Sequence, residues 1–384
     1  MSKVIYLDYH STTPCDPRVL KVMLPYFEED YANPSNNYHY AGRMVQSHIE
    51  EARRKIASII NANEKEIIFT SGATESNNLA ILGLARTYQG KRNKIVTTPI
   101  EHKSVLKSCE YLEKHGLVID YLDVDHTGAV ILESAKDIID ETTLLVSIQA
   151  CNNEIGTIQP LVEISNIAKE SGALVHCDAA QAVGKIPVDV AHFDVDFLSI
   201  SSHKLYGPKG VGALFIRKGL RRSLEPLYWG GDQELGLRPG THNVPGIIGM
   251  AEACLICEEE MVLESSETKD LRDLFERSLK KNIPDIKFNG NEHNRLPGNS
   301  NITFPGVEGD ALLLNLPQLA LSIGSACNTG AIEPSYVLTA IGLSREYANS
   351  TIRIGIGRFT TEAEIMTAVK EITDAYNLLL NKVI

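Results

Sequence analysis

Long runs of lysine or arginine are absent, and Asp plus Glu outnumber Lys plus Arg 49 to 37, for a formal net charge of −12. A nucleic-acid surface needs the opposite balance, so direct binding of DNA or RNA is not expected. No stretch is apolar enough to span a bilayer, since the most hydrophobic, residues 311–323, is broken by Asn315, Pro317 and Gln318. The chain opens straight into Val4-Ile-Tyr-Leu7 with no basic-then-apolar leader. A soluble cytoplasmic protein with no membrane partner is therefore expected. The seven cysteines (15, 109, 151, 177, 254, 257 and 327) are odd in number and scattered. That suits a reducing compartment and not a disulfide framework. Cys254 and Cys257 form a single Cys-x-x-Cys with no second pair to complete a zinc site, so no metal is expected. Glu258-Glu-Glu260 follows within a helical pattern, and both cysteines read as helix residues. Internal repeats and low-complexity segments are missing too.

What is present is bulk and alternation. With 384 residues, 43% of them hydrophobic, the chain can bury a large core and is expected to divide in two. Asp16-Pro17 opens a helix, with aspartate as cap and proline at the first position. A charged amphipathic helix runs through Glu50 to Ile56. From Glu66 the pattern becomes strand, turn, helix, repeated. The spacing predicts strands at 67–70, 95–97, 118–122, 144–149, 174–177, 197–201 and 212–216. Helical runs such as 161–169 lie between several of them. Such alternation means a mostly parallel seven-stranded sheet covered by helices, an α/β fold. Past Val244 a long helical pattern to about Lys280 leads into strands near 285–288 and 301–304 and a final helix at 362–380. This predicts a large domain over 16–245, with 1–15 and 246–384 forming a smaller α+β domain.

The chemistry centres on Phe197-Leu-Ser-Ile-Ser-Ser-His-Lys-Leu-Tyr-Gly-Pro-Lys-Gly210, a strand ending in a polar cluster with Lys204. A lysine desolvated at a strand end can become the neutral amine that a Schiff base requires. Taken alone, such a lysine is more often a plain surface residue. One strand upstream, His176-Cys-Asp-Ala-Ala-Gln181 places Asp178 at the same edge of a parallel sheet, where ligands of open α/β sheets bind. An aspartate there is equally often a turn residue or cap. A carboxylate for a pyridinium nitrogen, together with an amine, is the usual protein contribution to pyridoxal phosphate (PLP) chemistry.

Ten segments extend the pattern: Tyr6-Leu-Asp-Tyr-His-Ser-Thr-Thr13, Thr70-Ser-Gly-Ala-Thr-Glu-Ser-Asn-Asn78, Glu101-His102, Asn152-Asn-Glu-Ile-Gly156, His176 to Gln181, Ser202-His-Lys204, Arg238-Pro-Gly-Thr241, Ser325-Ala-Cys327, Glu333-Pro-Ser335 and Ile352-Arg-Ile-Gly-Ile-Gly-Arg358. In these segments, in this order over nearly the whole chain, the sequence resembles the cysteine desulfurases. The likeness is to the group I enzymes of nitrogen-fixation and iron–sulfur-cluster type, within the class-V aminotransferase family and PLP fold type I. It departs from the common pattern at Leu235 (often arginine), Asn328 (often threonine) and Gly355 (often serine).

The resemblance implies a role for each residue. Ala73 and Thr74, at the start of a helix, would form the coenzyme phosphate cup with Ser201 and His203. Thr241 would reach the phosphate of the neighbouring subunit in a homodimer. Lys204 would hold the coenzyme aldehyde, Asp178 its ring nitrogen and Gln181 its phenolate. His102 would lie on the ring and help move protons, Asn153 would sit near phenolate and substrate, and Arg353 would clamp the substrate carboxylate. Cys327, between Gly324 and Gly330, would take the substrate sulfur as a persulfide.

The implied reaction converts L-cysteine to L-alanine and passes the persulfide to a sulfur-acceptor protein, in iron–sulfur assembly or thiolation. A selenocysteine lyase, another fold-type-I PLP enzyme, a desulfurase dedicated to DNA phosphorothioate modification, and a carrier without turnover stay open at this point.

Overall fold

The computed structural model describes residues 4–88, 90, 92–324 and 333–383. A short strand, β1 (Ile5–Tyr6), precedes α1 (Pro17–Met23), which starts where the Asp16 carboxylate accepts the Arg18 amide and Pro17 takes the first turn. One turn, α2 (Pro25–Glu28), leads to α3 (Tyr40–Ser58), whose Val45, Ile49, Ala52 and Ile56 recur at helical spacing and are buried. Next come β2 (Ile67–Thr70), α4 (Ala73–Thr87), β3 (Lys94–Thr97), α5 (Lys103–Glu113) and β4 (Val118–Tyr121). They are followed by α6 (Leu132–Ile138), β5 (Thr143–Gln149), α7 (Leu161–Glu170), β6 (Leu174–Asp178), β7 (Phe197–Ser201) and β8 (Gly212–Ile216).

These seven strands form one sheet in the order β2-β8-β7-β6-β5-β3-β4. Only β8 runs against its neighbours, so β2 points the same way as β3 through β7. Successive residues alternate between two buried faces. Val96, Val146, Val175 and Leu198 join one hydrophobic core with α3, while Ile95, Leu145 and Phe197 join another with Leu79 and Leu84 of α4 and Val105 of α5. With both faces covered, the central strands read as nearly unbroken apolar runs.

The 39-residue α8 (Val244–Asn282) then contributes Ile247, Cys254 and Cys257 to the first core and Phe275 and Leu279 to a separate one. Both cysteines are thus buried helix residues. The separate core gathers Leu7, Ile302, Ile352, Ile354 and Ile365. Its backbone is an antiparallel sheet of β9 (Lys287–Asn289), β10 (Asn299–Thr303) and, after α9 (Gly309–Leu314), β11 (Leu319–Ala320), α10 (Tyr336–Ala340) and α11 (Arg345–Asn349), of β12 (Thr351–Gly355). β11 instead pairs with β1, and α12 (Glu362–Val383) covers this core.

Strand positions agree with the sequence reading to within a residue or two. The functional difference is at β6, which extends to Asp178 because that residue pairs in register with both Gln149 and Ser199. The carboxylate therefore sits on a strand end held from both sides.

The loop after β8 is anchored from within. Glu234, with a side chain 1% exposed and φ of 47°, accepts from both Arg53 Nη atoms at 2.7 and 2.8 Å, from the Phe69 amide at 2.8 Å and from His242 Nε2 at 2.8 Å. Burial alone would raise its pKa, but these donors, Arg53 foremost, pull it to about 2. The contribution to stability is complete above the unfolded value of about 4.3 and is lost as pH falls through about 2. Glu234→Gln removes the buried carboxylate and leaves the largely buried Arg53 charge paired only with the partly exposed Glu50. It is expected to lower unfolding free energy by about 3–5 kcal/mol, measured by urea denaturation at neutral pH. A loss below about 1 kcal/mol, the scale of a surface pair, would contradict this.

Candidate active site

All six strands that point one way end at the same edge of the sheet. Ala73 and Thr74 follow β2, His102 follows β3, Asn153 follows β5, Asp178 and Gln181 follow β6, and His203 and Lys204 follow Ser201 at the end of β7. Together with Arg353 of β12, all ten line one cavity of about 440 Å³. Thr241 is not among them; it is exposed and borders two grooves elsewhere on the surface. Cys327 lies outside the described residues.

Lys204 sits in a single helical turn past β7, and its Nζ donates to the carbonyls of His10 at 2.6 Å and Ser11 at 2.7 Å. Across the sheet, Asp178 is 7% exposed and accepts from Asn77 Nδ2 at 2.7 Å and the Ala180 amide at 3.0 Å. The same Asn77 nitrogen donates to Ser104 Oγ at 2.8 Å, which lies 2.8 Å from His102 Nδ1. His102 caps α5, its Nδ1 accepting the Ser104 amide at 3.1 Å. An amide can only donate, so Nδ1 is unprotonated and the imidazole proton resides on Nε2. Burial lowers the His102 pKa, keeping the ring neutral.

The anion-binding end is built at α4. Gly72 adopts φ of 145° and brings the chain close to Ser201, whose Oγ lies 3.8 Å from where a Cβ would stand. The first amides of α4 have no carbonyl ahead of them and face an anion favourably. His203 Nδ1 is 3.1 Å from Thr12 Oγ1, and burial, aided by nearby lysines, drives its pKa down to about 4. It is a neutral hydrogen-bonding group at neutral pH.

Arg353 is 1% exposed. Its Nη atoms donate to the Asn153 carbonyl at 3.0 Å and to Asp8 Oδ1 at 2.7 Å, while its Nε is buried with no partner among the described residues. A planar fork held on one side with donors to spare suits a carboxylate. Gly355, two residues on, explains why this strand can lie so near the chain's start: a Cβ there would stand 2.7 Å from the Tyr9 amide and 2.9 Å from that of His10.

Described residues on either side in sequence of the cysteine segment bond to the backbone of this region. On one side Ser322 bridges Arg353, accepting its amide at 2.7 Å; on the other, Tyr336 donates its hydroxyl to the carbonyl of Glu101, next to His102, at 2.9 Å.

Sequence reasoning assigned no role to Asn77, Ser104 or His10. Asn77 carried a signal, since it interrupts the face of α4 on which Leu79, Ala80 and Leu84 are buried, and a polar residue there needs a partner. Among the described residues, no three His, Cys, Asp or Glu side chains are grouped to hold a metal ion, and no helix is long and apolar enough to cross a membrane.

Comparison with known proteins shows the family. The family model described as aminotransferase class-V matches residues 5–367. A curated relative from Rickettsia rickettsii (strain Iowa), named cysteine desulfurase IscS, is 48% identical over 99% of this chain and 91% of its own length. A solved structure described as a NifS-like protein superposes with a TM-score of 0.92 at 38% identity, covering 98% of this chain and 100% of that one. Another, described as SspA in complex with cysteine, gives 0.80 at 38% identity, covering 93% and 99%. The chain belongs to the class-V aminotransferase family, among its cysteine desulfurases.

Proposed function

We propose that the protein binds PLP in this cavity and converts L-cysteine to L-alanine, leaving the sulfur on Cys327 as a persulfide. The observation that carries this reading is the convergence of Lys204, Asp178, His102 and Arg353 on one cavity. The residues fit the coenzyme. The cavity has the volume of a small-ligand site, a helix start beside Ser201 offers amides to a phosphate, and Asp178 is held on a strand end for a ring nitrogen. When bound, PLP supplies an aldehyde for an amine and a ring into which electrons from the α-carbon can spread.

The remaining work falls to the chain. Ala73, Thr74, Ser201 and His203 hold the phosphate; Asp178 holds the ring nitrogen, and Gln181 and Asn153 the side bearing the phenolate oxygen. Arg353 fixes the substrate carboxylate through its spare donors. The Lys204 amine, once free, takes the α-proton, and His102, with its proton on Nε2, helps return protons. The Cys327 thiolate attacks the substrate sulfur. The sulfur–sulfur bond forms as the bond from sulfur to the β-carbon breaks, and the electron pair stays with the three-carbon fragment, which is protonated and leaves as alanine. No external oxidant is needed, since the substrate carbon is reduced as the two sulfurs are joined.

The substrate assignment is supported by the relative that binds cysteine, and the acceptor, a protein of iron–sulfur assembly or thiolation, by the name of the curated relatives. A cytoplasmic setting and a division into 16–245 and the remainder belong to the same reading. So does a homodimer. Tyr31 and Trp229, 76% and 75% exposed, border the two grooves that meet at Thr241, a mixed surface with exposed aromatic rings that a second copy would cover. Sedimentation showing a monomer with full coenzyme would remove that part.

The central test is steady-state alanine formation from L-cysteine by the PLP-loaded protein. Many alanines per chain are expected; no alanine, or faster turnover of another amino acid such as selenocysteine, would overturn the assignment.

A further inference from the structure

Beside the residues already assigned lies a part-buried cation that the reaction does not use. Lys185 follows β6 in a turn clamped to α8: Ser265 Oγ donates to the Lys185 carbonyl at 2.7 Å, and a Cβ at Gly184 would stand 2.9 Å from Cys257 Sγ. The Lys185 Nζ donates to Gln181 Oε1 at 2.9 Å. Its residual surface borders a small cavity of about 20 Å³, shared with His10 and Glu264. On the other edge of the amide, Gln181 Nε2 donates to the His10 carbonyl at 2.8 Å.

These two bonds settle which way the amide faces. An ammonium only donates and a backbone carbonyl only accepts, so the Gln181 oxygen must face Lys185 and its nitrogen must face His10. One Nε2 hydrogen goes to the His10 carbonyl, and the second is left for the cavity that Gln181 lines. The His10 carbonyl also accepts from Lys204 Nζ. A polar relay thus runs from Lys185 through Gln181 to the oxygen on which the Lys204 amine rests. His10 completes it. Its Nδ1 lies 3.4 Å from Gln181 Oε1 and so carries the proton, while burial keeps the ring neutral.

We propose that Lys185 is a positioning residue of the active site, fixing the Gln181 amide with its N–H edge toward the cavity and, through the His10 carbonyl, the resting place of the Lys204 amine. The inference rests on the PLP reading above, in which Gln181 meets the phenolate oxygen. Without Lys185 the amide oxygen keeps only the long 3.4 Å contact to His10 Nδ1, and the N–H edge, held by the His10 carbonyl alone, loses its fixed direction toward the cavity. Burial pulls the Lys185 pKa down to about 8, with Glu264 opposing the fall and Arg353 adding to it, so the group carries substantial charge at neutral pH.

The test compares the PLP-loaded wild type with Lys185→Met, Lys185→Gln, Gln181→Ala and the Lys185→Met/Gln181→Ala double variant, reading the absorbance of the bound coenzyme against pH. Losing a nearby cation, or the donor to the phenolate, favours the protonated chromophore. The midpoint should therefore rise by about one pH unit in Lys185→Met and in Gln181→Ala. The double variant should shift no further than either single one, because the two act through one link. Lys185→Gln, which keeps an N–H donor but no charge, should shift less than Lys185→Met and serves where the methionine variant does not fold. A midpoint that stays at the wild-type value in both Lys185 variants while Gln181→Ala moves it would overturn the proposal, as would a double variant whose shift is the sum of the singles. A wild-type protein that takes up no PLP would instead overturn the reading on which the inference rests, and the inference with it.

Discussion

Cys327→Ser is expected to retain its coenzyme and its coenzyme absorbance, yet to lose alanine and persulfide production by roughly 10²-fold or more, about 2.7 kcal/mol in barrier. The reason is a division of labour. Lys204 and the residues around Asp178 act at the α-carbon, while sulfur transfer needs a thiolate, and a serine hydroxyl without a strong base stays protonated at neutral pH. The other cysteines are poorly suited. Burial pushes the thiols of Cys109 and Cys151 up to about 12 and that of Cys257 to about 11, raises those of Cys177 and Cys254 well above their ordinary value, and raises that of the part-buried Cys15 as well. Cys151 is the one to watch, since it borders the cavity, but it is 2% exposed and protonated at neutral pH. Alanine release by the variant and mass-spectrometric mapping of the persulfide in the wild type check the claim. Near-normal turnover in Cys327→Ser, or a persulfide mapped only to Cys151, Cys254 or Cys257, would end it.

Lys204→Ala should be the more severe lesion. It removes both the covalent attachment point and the base for the α-proton, and general-base loss alone is worth roughly 10²–10⁴-fold. Alanine formation is expected to fall by at least about 10³-fold, with borohydride leaving no coenzyme on the protein. Folding should be little affected, because the bonds lost include those donated to the His10 and Ser11 carbonyls, of which the first still accepts from Gln181. Unchanged thermal unfolding separates a chemical effect from a structural one. Coenzyme reduced onto another lysine in the wild type, Lys185 or Lys209 for example, would contradict the assignment.

Much of this was legible in the residues alone. Strand positions along the large sheet follow from short apolar runs closed by glycine, proline and asparagine, signals that act within a few residues. Asp178 and Lys204 could be placed at one sheet edge because parallel strands joined by crossovers must end together. The cap at Asp16 and the helical setting of Cys254 and Cys257 were equally local matters.

What only the tertiary structure decided is how these groups are tuned, and by which neighbours. Arg353 meets Asp8 across 345 residues of chain, a contact that depends on Gly355 letting β12 close upon Tyr9 and His10. The tautomer of His102 follows from the Ser104 amide, the bridge from Asp178 to Ser104 runs through Asn77 across 101 residues, and the orientation of Gln181 follows from Lys185 on one side and His10 on the other. Hydrogen-bond direction and desolvation depend on what surrounds an atom in space. The sequence by itself determined which residues can do the chemistry, since side-chain type and strand pattern are local properties; packing decided which of their protons and lone pairs face the cavity.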